Sequence, residues 1–152
     1  MIDIEEYKHG KCELFAFVLH KMFGYPIRFY IDPEGDIELL DESVPVLIHA
    51  CNILNENTLI DVDGKIDVEN ILNEFDYFYV DVVDVKSLES AKEVLKAICL
   101  PYRMGMDEER CITEHVRDNI EQKNLLTQKK KDFLVSVKKV LQLTIKYNIN
   151  GN

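Results

Sequence analysis

The order of elements legible in the sequence is that of an α+β domain. Three observations predict it. Apolar residues between Lys11 and Phe23 recur at three- and four-residue spacing, the period of a helix with one buried stripe. Two alternating runs, Val44 to Leu54 and Thr58 to Val62, flank a short polar segment, the pattern of a β-hairpin. From Ser87 onward the pattern is helical again. Helix, strands, then helices implies an antiparallel sheet covered by helices on both faces.

The first helix carries Leu14, Phe15, Val18, Leu19, Met22 and Phe23 on its stripe. Gly24 supplies the stop and Pro26 prevents continuation. Ile27 to Ile31 reads as a strand with Phe29 inward, Asp32-Pro33-Glu34-Gly35 as a turn, and Ile37 to Leu40 as a short second strand. In the hairpin, Asn55-Glu56-Asn57 suits a three-residue loop, with Asn57 able to take a left-handed conformation. The register then puts His49 opposite Asp63, with Asp61 on the diagonal. Val46, Ile48, Ala50, Ile60 and Val62 share one face, and Leu47, His49, Cys51, Asp61 and Asp63 the other. A short helix over Asp67 to Phe75 and an aromatic, branched strand over Tyr77 to Val83 follow. Ser87 caps a helix running to about Cys99, broken by Pro101 and Gly105. Two last helices are predicted, Asp107 to Asn124 and Thr127 to Tyr147, the second with an apolar stripe through Phe133, Leu134, Val137, Val140, Leu141 and Ile145.

Composition narrows the function classes. A chain of 152 residues with 47% apolar and 30% charged residues has the ordinary balance of one globular domain. There are 28 acidic against 18 basic residues, a net charge of −10, so the basic face of a nucleic-acid binder is not expected. A basic protein partner is compatible with that field. No apolar run is long enough to span a bilayer, and the acidic start MIDIEEYKHG lacks a signal-peptide h-region; no membrane association and a cytoplasmic location are the expectations. Cys12, Cys51, Cys99 and Cys111 form no CxxC pair, which disfavours a zinc ribbon or thioredoxin motif and predicts free thiols.

The chemistry-bearing residues are a cysteine, a histidine and an aspartate. Cys12 follows Gly10-Lys11 and opens a helix, where orphan backbone N–H groups and the helix dipole favour a thiolate; Lys11 adds positive charge. His49 lies within the apolar strand segment VLIHAC and is the candidate imidazole that would lower the thiol's pKa further. Asp61 or Asp63 could orient the ring from the neighbouring strand. Asp63 is nearer in the ladder, but Asp61 lies inside the apolar run Leu59-Ile60-Asp61-Val62, where an acid is costly unless paired, and is favoured. Taken singly, a helix cysteine is usually core and a strand histidine a satisfied polar group. The three together are harder to ascribe to packing.

The run Gly10-x-Cys12-x-x-Phe15-Ala16-x-x-Leu19-His20-x-x-x-Gly24-Tyr25-Pro26 resembles the opening of a widespread group of small bacterial papain-like domains, cysteine peptidase or transglutaminase-like. In that group a strand histidine followed by a small residue comes next, here His49-Ala50. A tight turn and a strand with aspartate then glycine follow, here Leu59-Ile60-Asp61-Val62-Asp63-Gly64. The resemblance covers about residues 8–85. It implies a papain-like fold, with the N-terminal helix packed on an antiparallel sheet and a helical extension over about 87–147, in one domain of 1–152. It also implies a triad of Cys12, His49 and Asp61. The group's turn usually carries an Asp-Gly signal, where this chain has Asn-Glu-Asn. Tyr7, Lys8, His9 and the backbone N–H of Cys12 are the candidates for oxyanion donors.

Two functions follow as expectations. One is a cysteine-dependent hydrolase or acyltransferase acting on a protein or peptide, with Cys12 as nucleophile, His49 exchanging the proton and Asp61 orienting it. The other is an acidic cytoplasmic binding protein on the same fold, such as an immunity protein that neutralises a basic toxin, in which the triad is inactive. No cofactor or metal is expected. Cys111 and His115 share an i, i+4 spacing but lack a second ligand pair. His20 and His9 read as packing or solvated groups, and Lys129-Lys130-Lys131 as a solvated patch. The acids Asp32, Glu34, Asp36, Glu38, Asp41 and Glu42 read as a solvated loop or a docking surface for a basic partner.

Overall fold

Residues 1–35, 44–75, 79–121 and 133–143 are described by a computed structural model. The chain forms two compact units, Met1–His115 and Val116–Asn152. The first holds a five-stranded antiparallel sheet in the order β4-β3-β2-β1-β5, with helices before, within and after the strands. The architecture is α+β.

Helix α1 (Ile4–His9) is capped by Asp3, whose side chain accepts the Glu5 N–H at 3.1 Å. It was not anticipated: six residues with one buried side chain, Tyr7, show no helical period. Helix α2 (Cys12–Phe23) starts within a residue of expectation and ends at Gly24, whose φ of 74° requires the left-handed conformation and whose N–H reaches the His20 carbonyl at 2.8 Å. A polar cluster fixes where α2 begins. Glu108 Oε1 accepts from the Tyr7 hydroxyl at 2.8 Å and from Lys11 Nζ at 2.9 Å. Glu108 belongs to α5, and Lys11 Nζ also meets Glu6 at 2.8 Å.

Strand β1 (Ile27–Asp32) is an inner strand, pairing with β2 (Val46–Asn55) on one side and β5 (Asp81–Val85) on the other. β5 lies two residues later than the end predicted from the aromatic run. Tyr79 and Val80 are outside the strand, and Tyr77 and Phe78 lie outside the described residues. Pairing with β1 sets its place, with Phe29 opposite Val83 and Arg28 opposite Asp84; the guanidinium meets the Asp84 carboxylate at 2.8 and 2.9 Å. The strand expected over Ile37–Leu40 lies outside the described residues, as does Lys129-Lys130-Lys131.

The hairpin of β2 and β3 (Thr58–Asp61) has the predicted register, Asn52 opposite Ile60 and Ile53 opposite Leu59. Its tip differs. Asn55 pairs with Thr58, so the turn is the two residues Glu56-Asn57, and Leu54 is the extra residue of a bulge. Asn57 keeps a negative φ; Cys99, at 58°, is the non-glycine residue with a positive one among the described residues. Gly64 (φ 106°) then turns the chain into β4 (Gly64–Asp67), a four-residue strand whose residues alternate between half-buried and exposed. Helices α3 (Val68–Phe75) and α4 (Leu88–Ala97) follow the sequence reading, with Ser87 accepting the Ser90 N–H at 3.1 Å.

A second bulge matters more. Tyr30 pairs with His49 and Ile31 with Leu47, so Ile48 is the extra residue of β2. The bulge exchanges the faces expected for Leu47 and Ile48. Leu47 packs with Cys12, Ala16, Phe17, Ile27, Phe29, Ile31 and Ala50 on the α2 side. Ile48 packs with Tyr30, Cys51, Leu59 and Ile71 on the other. α4 closes the first cluster with Ala91 and Leu95. Asn52 is fully buried under α2 and its side-chain amide donates to the Ala16 carbonyl at 2.9 Å.

α5 (Met106–Val116) is followed by a short π-helical turn, Arg117–Glu121, and residues 133–143 are helical. Phe133, Leu134, Val140 and Leu141 are exposed on that last helix. Among the described residues no helix is long and apolar enough to cross a membrane.

Candidate functional site

His49 and Asp61 meet at the end of the β2–β3 ladder, and Cys12 lies one residue further along β2, against Ala50. β3 stops at Asp61, so the first half of β2 pairs with β1 alone among the described residues. The first turn of α2 occupies the edge that β3 leaves. The Ala50 N–H, which faces that edge, donates to Cys12 Sγ at 3.3 Å. The sulfur therefore sits against the β2 backbone one residue from His49. Lys11, at the N-cap position, makes no side-chain cap, so the opening N–H groups of α2 remain for other acceptors.

His49 is 1% exposed. Its Nε2 lies 2.9 Å from Asp61 Oδ2. Opposite a carboxylate, which can only accept, Nε2 would be the donor. The other ring nitrogen, Nδ1, is buried too. Asp61 is itself fixed: its Oδ1 accepts the Asp63 N–H at 2.9 Å. Asp63 turns away and pairs with Lys8 Nζ at 2.8 Å. Of the two carboxylates left open by the sequence, Asp61 is the one that meets the imidazole. The β2 bulge falls at Ile48, immediately before His49.

The electrostatics of the sulfur depart from expectation. Cys12 is 6% exposed, and burial together with the neighbouring Glu13 carboxyl pushes its thiol up to about 12. The backbone N–H groups of Ala50, Glu13 and Cys12 act in the opposite direction without overcoming desolvation. Lys11, expected to add positive charge, spends it on Glu6 and Glu108. Cys51 is also buried and also raised by burial, but faces the core around Tyr30, Leu59 and Ile71. The four cysteines are unbridged.

Cys12 opens onto a cleft of about 460 Å³. Val46, Leu47 and Ile48 of β2 line it, with Val44 and Pro45 before them and Ile98, Cys99 and Leu100 from the end of α4. His9, Gly10 and Glu13 complete it. Glu13 was not singled out in the sequence, though a signal existed: it is the one polar residue in the buried stretch CELFAFVL. Its side chain lies 3.9 Å from Cys12 Sγ, and burial raises its carboxyl above the usual range.

The remaining candidates have other roles. The Tyr7 hydroxyl is committed to Glu108, and Lys8 to Asp63. His9 pairs with Glu5 at 3.4 Å, and His20 Nδ1 meets the Tyr25 carbonyl at 2.8 Å. His115 sets its ring edge-on to Phe15, with centroids 6.3 Å apart, and Cys111 is exposed. No metal-binding group of three ligands occurs among the described residues. Asp32 Oδ1 accepts the Glu34 and Gly35 N–H groups, closing the predicted turn; Asp36, Glu38, Asp41 and Glu42 lie outside the described residues. Comparison with protein-family models, with curated proteins and with solved structures gave no match.

Proposed function

We propose that the protein is a papain-like cysteine-dependent hydrolase or acyltransferase acting on a protein or peptide, with Cys12, His49 and Asp61 as its triad. The observation that carries this reading is the buried 2.9 Å His49–Asp61 hydrogen bond one residue from the N–H that holds the Cys12 sulfur. A histidine oriented through Nε2 keeps Nδ1 as its basic nitrogen. The thiol proton passes to Nδ1 as the sulfur attacks the substrate carbonyl carbon and the carbonyl π pair moves onto oxygen. Collapse of that adduct expels the amine, which takes the proton from His49, and leaves a thioester on Cys12. Water, or an acceptor amine in the transferase case, then attacks the thioester, and the proton it loses returns to the thiol through His49. The backbone N–H of Cys12, at the start of α2, is the nearest candidate for the oxyanion.

A second reading has its own support. A buried thiol held protonated beside a carboxyl is the environment of an inert cysteine, and the net charge of −10 suits a binding protein for a basic partner such as a toxin. One trapping experiment separates the two. Carbamidomethylation of Cys12 by iodoacetamide, followed by peptide mass spectrometry, should be slowed roughly 100-fold in His49→Ala, the scale of a lost general base. If Cys12 alkylates at the same rate with and without His49, the enzyme reading fails. A stoichiometric complex with a basic protein that survives Cys12→Ser would then support the binding reading.

A further inference from the structure

We infer that Glu13 is the specificity determinant of the cleft: it receives the cationic side chain of a lysine- or arginine-bearing substrate and places it beside Cys12. The inference rests on the triad reading and names the substrate class for that site. Glu13 is 8% exposed and lines the cleft. Among the described residues it makes no ion pair, and Lys11 is engaged by Glu6 and Glu108. A carboxyl in that position is costly unless a cation meets it or it stays protonated. The other walls are mostly apolar: Val44, Val46, Leu47, Ile98 and Leu100 suit the methylene stem of a basic side chain, with the charged head at Glu13. His9, which also lines the cleft, pairs with Glu5.

The arrangement also accounts for the state of the thiol. With the cleft empty, the Glu13 carboxyl opposes ionisation of Cys12. A cation seated on Glu13 cancels that opposition, so the correct substrate both fills the cleft and releases the nucleophile.

Methanethiosulfonate reagents of different charge test this directly. The thiolate attacks the sulfenyl sulfur, the S–S bond to the sulfonyl group breaks, methanesulfinate leaves, and the thiol proton goes to solvent. Rates at each cysteine are read by peptide mass spectrometry for the aminoethyl (cationic), methyl (neutral) and sulfonatoethyl (anionic) reagents. Exposed Cys111 serves as the internal reference for the protein's overall charge. The cation-to-anion rate ratio at Cys12 should exceed that at Cys111 by about tenfold, the scale of focused electrostatic attraction. In Glu13→Gln, an isosteric neutral replacement, that excess should vanish while the neutral reagent reacts faster than in the unmodified protein. Should Cys12 react with the neutral reagent in a His49-dependent way but show no excess cation preference, the role of Glu13 is overturned and the triad reading stands. If Cys12 is inert to all three reagents, the triad reading falls and the inference falls with it. Because the preference is measured first in the unmodified chain, the result does not depend on how the variant folds.

Discussion

β2 is one strand in two environments. Its second half, Asn52–Asn55, is laddered to β3, and the core beneath it is sealed by Leu59 and Ile71. Its first half, Val46–Cys51, is paired by β1 alone among the described residues, and the other edge is given to Cys12 and the cleft. The difference teaches where chemistry is affordable in this fold. Ending one strand early leaves the Ala50 N–H to be satisfied, and a helix terminus satisfies it with a sulfur rather than a carbonyl. The bulges fall on either side of this transition, at Ile48 and Leu54.

The contrast can be broken first at the polar pair. Asp61→Ala strips the His49 ring of its acceptor in a site closed to water. Loss of one partner from a buried pair should cost about 3–5 kcal/mol in urea unfolding, with Asp61→Asn costing less. An effect below ~1 kcal/mol would mean that water reaches the ring. The laddered half should fail differently. Leu59→Ala opens a cavity in a fully buried position and should cost about 2–5 kcal/mol, yet leave the relative reactivity of Cys12 toward charged reagents unchanged. If it shifts that ratio, the two halves are mechanically coupled and the distinction drawn here is too sharp.

The smallest effect is a slope with pH. The Cys12 thiol is raised in the folded chain from an ordinary value of 9.0 to about 12. Below about pH 9 the thiol is protonated in both states and its full contribution to stability is present. As pH climbs from about 9 to 12, the unfolded chain ionises first and that contribution is lost. Stability should therefore fall across that window, partly through Cys12 and partly through Cys51, which is raised in the same direction. Cys12→Ser should flatten the slope, as read from chemical denaturation at successive pH values. An unchanged slope would show that the sulfur is not desolvated in solution.

Much of this site was legible in the sequence because it rests on local rules. Gly24 stopped α2 by its need for a left-handed φ, and the alternation of Val46, Ile48, Ala50, Ile60 and Val62, with the short polar loop after Leu54, set the β2–β3 register. That register placed Asp63 nearer His49, and the cost of an acid inside the apolar run Leu59–Val62 chose Asp61 instead. What was missed depends on pairing partners that no local window contains. The Ile48 bulge, which moves Leu47 to the α2 side, arises from the fit to β1. β5 is placed by Phe29 and Arg28 rather than by its own aromatic neighbours. The raised thiol was missed for a related reason: the helix-terminus argument counted the dipole and Lys11, whereas desolvation and Glu13 dominate once the fold is closed.

The central claim is most directly tested by the tautomer of His49. If Asp61 holds Nε2–H as the 2.9 Å contact requires, ¹⁵N spectra of the imidazole-labelled protein, at a pH where the ring is neutral, should show Nε2 protonated and Nδ1 bare. A ring protonated at Nδ1 instead could not take a proton through that nitrogen, and the joint action of sulfur, imidazole and carboxylate would be contradicted.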